Sequence, residues 1–538
     1  MTPTGRRNHF LSIWLPGVAL AAVAMALVAV AGVIDAGRSG GKYDSLLGLL
    51  NPDSVAAAWT MALVGTSEGV AIAIVIVVVV LGVQLTADRY SPRIIDIFVR
   101  DPMNGAVLAL FLGSIVFTIY VSVEIKADYV PLVGVGTAVL LAVIDFAVLM
   151  PYVRYMFSIM RAETIIRALR RRGLATIRQA ASQGSDLEVR HSMRDCISQI
   201  SDIALGSIQR GDTQVCLAAI EALRALLVDE YIPAKKELHT WWFKVDHIDM
   251  PGASDQTIAQ VDRTRTWVEH TVLSDFLDLI GETPAFRKEV IHAIARATRD
   301  FGGAAIRVGD RELEDLVIRF FNTYLRAAMN QRAPTFAYAT FNEYRAFAIQ
   351  VLDARPDLVV RVAEHLVAYG RSFDAAGMPF IIGTAAEDVA DMTIASAALD
   401  LDRAMLMAQL LARTLAAMAP VAQPIALNGV LKAVIKLALW GVANEHLGIV
   451  GTLAGGIRAV PAGFTEDALA RMERTTEGVF WEVSDRVVAF DWVEPDLREL
   501  IPVLRQQLAD AEEAEKAALA AIAVAASSPR KPRRQPAH

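Results

Sequence analysis

The sequence predicts an all-α protein, a four-helix transmembrane unit followed by a large cytoplasmic α-helical domain. Three observations predict it. Four long apolar runs fill the first ~150 residues, long enough to cross a bilayer. Arginines cluster beside alternate ends of those runs. From about residue 185 to 500, apolar residues recur at helical spacing and strand alternation is scarce. The organisation expected is a transmembrane domain over 1–154, a basic connecting helix over 155–184, a helical domain over 185–505 and a tail over 506–538. After the fourth run almost nothing is apolar enough to enter a bilayer.

The four runs are Trp14–Ile34, Met61–Leu85, Ala106–Val123 and Val130–Met150. At ~1.5 Å per helical residue each spans a hydrocarbon layer ~30 Å thick. The first also has features of a signal peptide, with Arg6 and Arg7 before it and Ala29-Val30-Ala31 near its end. Its apolar stretch exceeds the ~7–15 residues of such a region, and it is expected to stay as a span. Arg6 and Arg7, then Arg89, Arg93 and Arg100, then Arg154, Arg161, Arg167, Arg170, Arg171 and Arg172 fall on one side. The opposite loops carry only Arg38 and Lys42, and Lys126. Positive-inside bias therefore predicts both termini in the cytoplasm.

Between the second and third runs, Ser91-Pro92-Arg93 and Asp101-Pro102 each read as an N-cap followed by proline at the first helical position. They predict a short interfacial elbow over Pro92–Val99. Beyond the fourth run, Tyr155–Gly173 reads as a basic amphipathic helix continuing that span. Its Arg161, Arg167, Arg170, Arg171 and Arg172 suit lipid headgroups, or serve as ordinary positive-inside flanking.

Ser12-Ile13-Trp14-Leu15-Pro16, Gln84-Leu85-Thr86-Ala87-Asp88-Arg89-Tyr90-Ser91-Pro92-Arg93-Ile94-Ile95, Phe98-Val99-Arg100-Asp101 and Leu110-Phe111-Leu112-Gly113 occur in that order. Together they resemble a bacterial four-span family of predicted membrane proteins, domain of unknown function 2254. A weaker similarity covers Ile200–Leu205 and Cys216–Leu227. Where the family carries a Ser-Pro-Gly-Ile-Asn-Asp-Pro turn, this chain reads Ser207-Ile208-Gln209-Arg210-Gly211-Asp212. The resemblance implies four spans with a cytoplasmic helical region and a bacterial inner membrane. It implies no activity.

The spans hold the candidate functional residues. Ala62, Gly65, Gly69 and Ala73 place small side chains on one face of the second run, either as a helix-packing seam within one bundle or as a contact between copies. Glu68 lies on the same helix. A carboxylate in lipid costs several kcal/mol unless it is paired, protonated or wetted. It is therefore either an ion-pathway group, with Ser67 and Thr66 able to hydrogen-bond it, or a group in the outer headgroups. Asp145 in the fourth run is a second station of such a path, or pairs with Arg154, Arg89 or Arg93. No inverted repeat of split spans appears, which argues against a secondary transporter.

The rest of the chain offers little chemistry. A formal charge of −7 argues against nucleic acid as a partner. Cys196 and Cys216 sit in apolar helical sequence, so neither a disulfide nor a zinc site is expected. Trp241-Trp242-Phe243-Lys244-Val245-Asp246-His247, with His239, is a packed aromatic cluster or a ligand pocket; its spacing matches no metal motif. Gly451-Thr452-Leu453-Ala454-Gly455-Gly456 lacks the ending of a P-loop. No hydrolase or kinase signature occurs. No enzyme and no cofactor are expected. Leu508–Ala526 reads as an Ala/Glu-rich helix, and Ser527–His538 as a basic solvated tail. Two functions remain. One is an oligomeric ion pore or channel with a cytoplasmic helical vestibule. The other is a membrane-anchored scaffold or accessory subunit whose helical surface binds a protein partner.

Overall fold

The computed structural model describes residues 53–89, 101–182, 187–479, 489–510 and 513. The first run, Trp14–Ile34, the elbow residues Ser91, Pro92 and Arg93, and the tail beyond 513 lie outside them. The chain divides into two compact units. One comprises residues 1–172 and 198–210; the other comprises 173–197 and 211–538.

In the first unit three spans pack pairwise: α1 (Ser54–Arg89), α2 (Pro102–Glu124) and α3 (Leu132–Ile159). α1 starts seven residues before the apolar run because Asp53 caps it. The Asp53 side chain accepts from Val55 N at 3.2 Å, and its carbonyl accepts from Ala57 N at 2.9 Å. Asp101 caps α2 by accepting from Met103 N, with Pro102 in the first turn. α2 and α3 are joined by a tight turn closed by an antiparallel bridge between Lys126 and Tyr129. α3 runs through Pro151 to Ile159, and its loss of one helical hydrogen bond there is tolerated in a packed span. The chain then breaks at Met160–Arg161 before α4 (Ala162–Ser182), so the connecting helix does not continue the span directly. The Arg161 carbonyl accepts from Thr164 and Ile165 and starts the new helix.

The outward side chains of these spans are apolar. Trp59, Leu63, Val123 and Val133 are each 69–75% exposed. Such a surface would aggregate in water and fits lipid. Trp59, Tyr120 and Tyr129 stand exposed at the same end of the bundle, where aromatic residues mark a membrane interface.

The second unit is a stack of helix hairpins. Its helices after α4 and α5 (Leu187–Gln209), each of which belongs in part to the first unit, are α6 (Thr213–Ala225), α7 (Asp255–Thr264), α8 (Trp267–Glu282), α9 (Lys288–Val308), α10 (Arg311–Asn330), α11 (Pro334–Gln350), α12 (Pro356–Ala375), α13 (Ile381–Ala397), α14 (Leu401–Met418), α15 (Pro424–Ala443), α16 (Leu447–Arg458) and α17 (Ala462–Arg474). From α8 to α15 each helix packs on the next and on the helix two further along, and α6 packs on α9. Two layers result. One holds α6, α9, α11, α13, α15 and α17; the other holds α8, α10, α12, α14 and α16.

Ion pairs step along the first layer from α6 to α15. Arg224 meets Asp300 at 3.6 Å, Arg299 meets Glu343 at 2.5 Å, Arg345 meets Asp388 at 3.3 Å, and Lys436 meets Glu387 at 2.7 Å. Glycines allow the closest crossings. A Cβ on Gly383 of α13 would stand 2.9 Å from the Gly429 Cα of α15.

α15 is the apolar exception among the described helices after the fourth run. By length and composition it could span a membrane, with mean hydropathy 1.6 over its window. But 67% of that window is buried inside its own unit, against 22–28% for α1, α2 and α3. A helix apolar all round is equally a core helix, and here protein supplies the apolar surroundings. Lys432 and Lys436 on α15 pair with Asp491 and Glu387 at 2.6 and 2.7 Å.

Candidate functional site

Buried positions in the three spans follow alternating steps of three and four. On α1 they are Ala57, Met61, Glu68, Ala71 and Val75, with half-buried Val64 completing the series. On α2 they are Asn104, Val107, Phe111, Ser114, Thr118 and Val121. On α3 they are Val135, Ala138, Ala142 and Asp145, after which the series is interrupted and Pro151, Tyr152 and Met156 are buried. This is the spacing of a left-handed helical seam. Most of its positions are apolar. Met61, Val121, Val135 and Ala138 form one cluster at the end marked by the aromatic residues.

About one and a half to two turns further in, the seam turns polar on all three helices. Glu68 and Asp145 are fully buried, and Ser114 and Thr118 are each 2% exposed. Thr118 is the hydroxyl neighbour of Glu68, Ser114 that of Asp145, and the two carboxylates are close enough to interact. Both oxygens of Glu68, both of Asp145 and the Thr118 hydroxyl lack a hydrogen-bond partner among the described residues. The Ser114 hydroxyl donates to the Leu110 carbonyl at 3.1 Å.

Two expectations change here. Thr66 and Ser67 do not reach Glu68; they donate to the carbonyls of Ala62 and Val64 on their own helix, at 2.7 and 2.8 Å. Successive helical residues point ~100° apart, so the partner has to come from a facing helix. Asp145 has no arginine partner among the described residues, and Arg154 is exposed. The side chain of Arg89 and all of Arg93 lie outside the described set. Glu68 also lies nine residues along α1 from Trp59, a rise of roughly 13 Å.

The small-residue stripe is not the packing seam among the described residues. A Cβ on Gly65 would meet the Thr118 methyl at 3.5 Å, while Ala62, Gly69 and Ala73 are exposed and Gly69 has nothing within 4 Å. Near the opposite end lies a second polar layer. Buried Tyr152 donates to Asn104 Oδ1 at 3.0 Å, and Tyr155 donates to the capping Asp101 at 2.7 Å. On α4, Arg161, Arg167, Arg171 and Arg172 are exposed, Arg170 is half-buried, and Ile165, Ile166 and Leu169 form the buried face.

The second unit holds buried charge of a different kind. Lys235 Nζ donates to Glu269 and Asp310, both at 2.6 Å. Burial opposes its charge, but the two carboxylates outweigh burial and hold the ammonium above its ordinary range. Trp242 stacks among Tyr231, Trp241 and Trp267, and donates to the Tyr231 hydroxyl at 3.2 Å. His239 and His247 are exposed, and the described residues hold no group of three metal-ligating side chains. The aromatic cluster is packed core. Arg190 pins the following turn through buried Asp249 at 2.7 Å and through the Lys244 carbonyl. Cys196 and Cys216 are buried and are not joined by a disulfide.

The fold and the buried layer define an α-helical membrane protein with transmembrane spans and a layered helical unit. Residues 11–228 match the family described as Predicted membrane protein (DUF2254). That stretch takes in the membrane unit and α6; the hairpin stack from α7 onward lies beyond it. Neither a curated protein nor a solved structure matches the chain.

Proposed function

We propose that the membrane unit is a channel-like ion path, and that Glu68 and Asp145 are its ion-binding station. The observation that carries this is the carboxylate pair, fully buried and without a cationic partner among the described residues, at the middle of the spans. Uncompensated acid in that position costs several kcal/mol, and such a cost usually accompanies function. Because Glu68 points into its own bundle, the path is placed inside each copy and not on an axis shared between copies. The exposed small residues Ala62, Gly69 and Ala73 support self-association through a different face. Arginine placement supports a bacterial inner-membrane protein with both termini cytoplasmic, and the exposed arginines of α4 then lie at anionic headgroups.

A second reading, a membrane-anchored scaffold, is favoured by Leu399, Leu401 and Leu447. These stand exposed at the α13–α14 and α15–α16 turns and suit a protein partner. Conductance separates the two readings. Purified full-length protein in a planar bilayer should give discrete currents whose ion preference changes in Glu68→Gln and Asp145→Asn. Silence across ions, pH and voltage, from inserted and folded protein, removes the ion-path reading and leaves the scaffold.

A further inference from the structure

We infer that the ion taken up by the Glu68–Asp145 layer is a proton, held by the two carboxyl groups jointly, and that the bundle carries protons in preference to metal cations. This rests on the ion-path reading above and adds the identity of the ion.

The donor inventory leaves a metal no spare ligand. Calcium takes six to eight oxygens at about 2.3–2.6 Å, and magnesium needs near-octahedral oxygen geometry. The layer supplies four carboxylate oxygens and the hydroxyl oxygens of Thr118 and Ser114, the latter donating its hydrogen to Leu110, so a metal would need every one of them at one point. Backbone carbonyls add nothing, because α1, α2 and α3 run unbroken through this level. Pro151 does release the carbonyl of Ala147 from its helical bond, but Ala147 is about 200° around α3 from Asp145.

Charge balance points the same way. No lysine, arginine or histidine pairs with either acid among the described residues, and two carboxylates buried in one layer within coulombic reach of each other repel. A proton removes one of the two charges. The unpartnered Thr118 hydroxyl, able both to donate and to accept, stands beside that pair.

The seam is also closed to anything hydrated. Met61, Val121, Val135 and Ala138 lie on one side of the layer, and the next buried positions on the other are Ala71, Val75 and Phe111. A metal ion needs those layers opened wide enough for its water or for new ligands. A proton needs only a transient water chain. It enters from one aqueous side, resides on the pair and leaves to the other; no bond other than O–H forms or breaks, and nothing is oxidised or reduced.

The test uses full-length protein in liposomes containing a pH-sensitive dye, with choline as the sole bulk cation apart from the potassium needed to set a voltage with valinomycin. Native protein should acidify the interior under an inward-driving voltage, with a reversal potential that follows the pH gradient. Glu68→Gln, Asp145→Asn and the double variant should fall to the rate of protein-free vesicles. A current that follows sodium or potassium gradients and is lost in the same variants overturns the proton assignment and leaves the ion path standing. Equal flux in native and variant proteins overturns both. Difference infrared spectra of the native protein across a pH step provide a check that needs no variant to fold. A protonated-carboxyl stretching band sensitive to deuterium is expected, and its absence at every pH counts against the inference. Glu68→Asp, which keeps the carboxyl, should restore part of the flux.

Discussion

Two adjacent glycines on α16, Gly455 and Gly456, provide the sharpest test of the packing, because the structure gives them opposite roles. A Cβ on Gly456 would lie 2.8 Å from both the Cα and the carbonyl oxygen of Ala412 on α14, and 3.0 Å from its Cβ. Two of those atoms are backbone, so no rotamer change relieves the overlap and the helices must separate. Overpacking of this kind costs about 1–3 kcal/mol. Replacing a mid-helix glycine by alanine returns about 0.5–1 kcal/mol of helix stability, so Gly456→Ala should destabilise by about 1–2 kcal/mol. Gly455 is exposed with nothing within 4 Å. Gly455→Ala therefore gains the helix term without the overlap. For a domain of this size, about 2–4 °C per kcal/mol applies at most. The midpoint should fall by roughly 2–6 °C in Gly456→Ala and rise by roughly 1–3 °C in Gly455→Ala. Tryptophan fluorescence of the full-length protein in detergent is a suitable readout, because Trp440 packs on His446 at the turn that starts α16, with ring centroids 5.0 Å apart. All variants must be scanned at one rate, since unfolding of such proteins is commonly irreversible. A Gly456→Ala midpoint at or above native, or equal shifts of one sign in both variants, would refute the close approach of α14 and α16.

Lys235→Met should cost about 3–5 kcal/mol, because it leaves fully buried Glu269 without its cation. A shift of the denaturant midpoint worth less than about 1 kcal/mol would contradict the buried triad. His365 is held below its ordinary 6.5 by burial first and by Arg361 second, with Glu364 opposing; Tyr344 Oη and Asn322 Nδ2 face its Nδ1 at 3.1 and 3.2 Å. The unfolded chain then binds more protons than the fold between the depressed value and 6.5. Its contribution is complete above 6.5, is lost as pH falls through that window, and is level below it. His365→Asn should flatten this part of the thermal stability profile relative to native, and an unaltered slope would exclude His365 as its source. In the membrane, Tyr152→Phe removes the hydrogen bond to Asn104 and should cost about 0.6–2 kcal/mol in detergent-induced unfolding. No change there would mean that Asn104 does not depend on this bond.

Several helices of the second unit are legible in the chain because their two faces differ. Leu313, Val317, Phe321, Tyr324 and Ala328 are buried on α10 while Arg319 and Arg326 are exposed, and that contrast recurs on α9, α12, α14 and α17. The spans have no such contrast. Lipid is as apolar as a packed interior, so Val75, which packs, and Val77, which faces outward, look alike in sequence. Register between the spans was for that reason invisible. Glu68 and Asp145 could be singled out one at a time, but not Ser114 and Thr118, which are ordinary span residues until three helices are aligned. The stripe of Ala62, Gly65, Gly69 and Ala73 drew attention as the packing seam because its spacing is conspicuous. The three-four series that packs, from Ala57 to Val75, is carried by side chains of mixed size. For α15 the distinguishing signal was in the sequence. Lys432 and Lys436, four residues apart, suit ion pairs inside a protein far better than a lipid face.

A polar layer in a helical seam has a second physical use. One buried polar position among apolar ones can fix the register of a bundle, because a shifted alignment leaves it unpaired in an apolar layer. The Glu68–Asp145 layer is such a position, and register and ion binding predict different consequences for different side chains. Glutamine at 68 keeps the size and the hydrogen-bonding groups but cannot release a proton at physiological pH. If the layer serves register, Glu68→Gln should behave as native in every transport assay, whereas Glu68→Leu should loosen the bundle, seen as faster proteolysis and weakened resistance to detergent unfolding. If the layer serves ion transfer, Glu68→Gln should already be silent while its unfolding stays within about 1 kcal/mol of native. Among the described residues no cation stands beside the pair, and that favours the second outcome. A register device is satisfied by neutral amides, as in coiled coils, and gains nothing from two acids placed together. Transport lost only in Glu68→Leu, in step with its loss of stability, would decide for register and against the ion path.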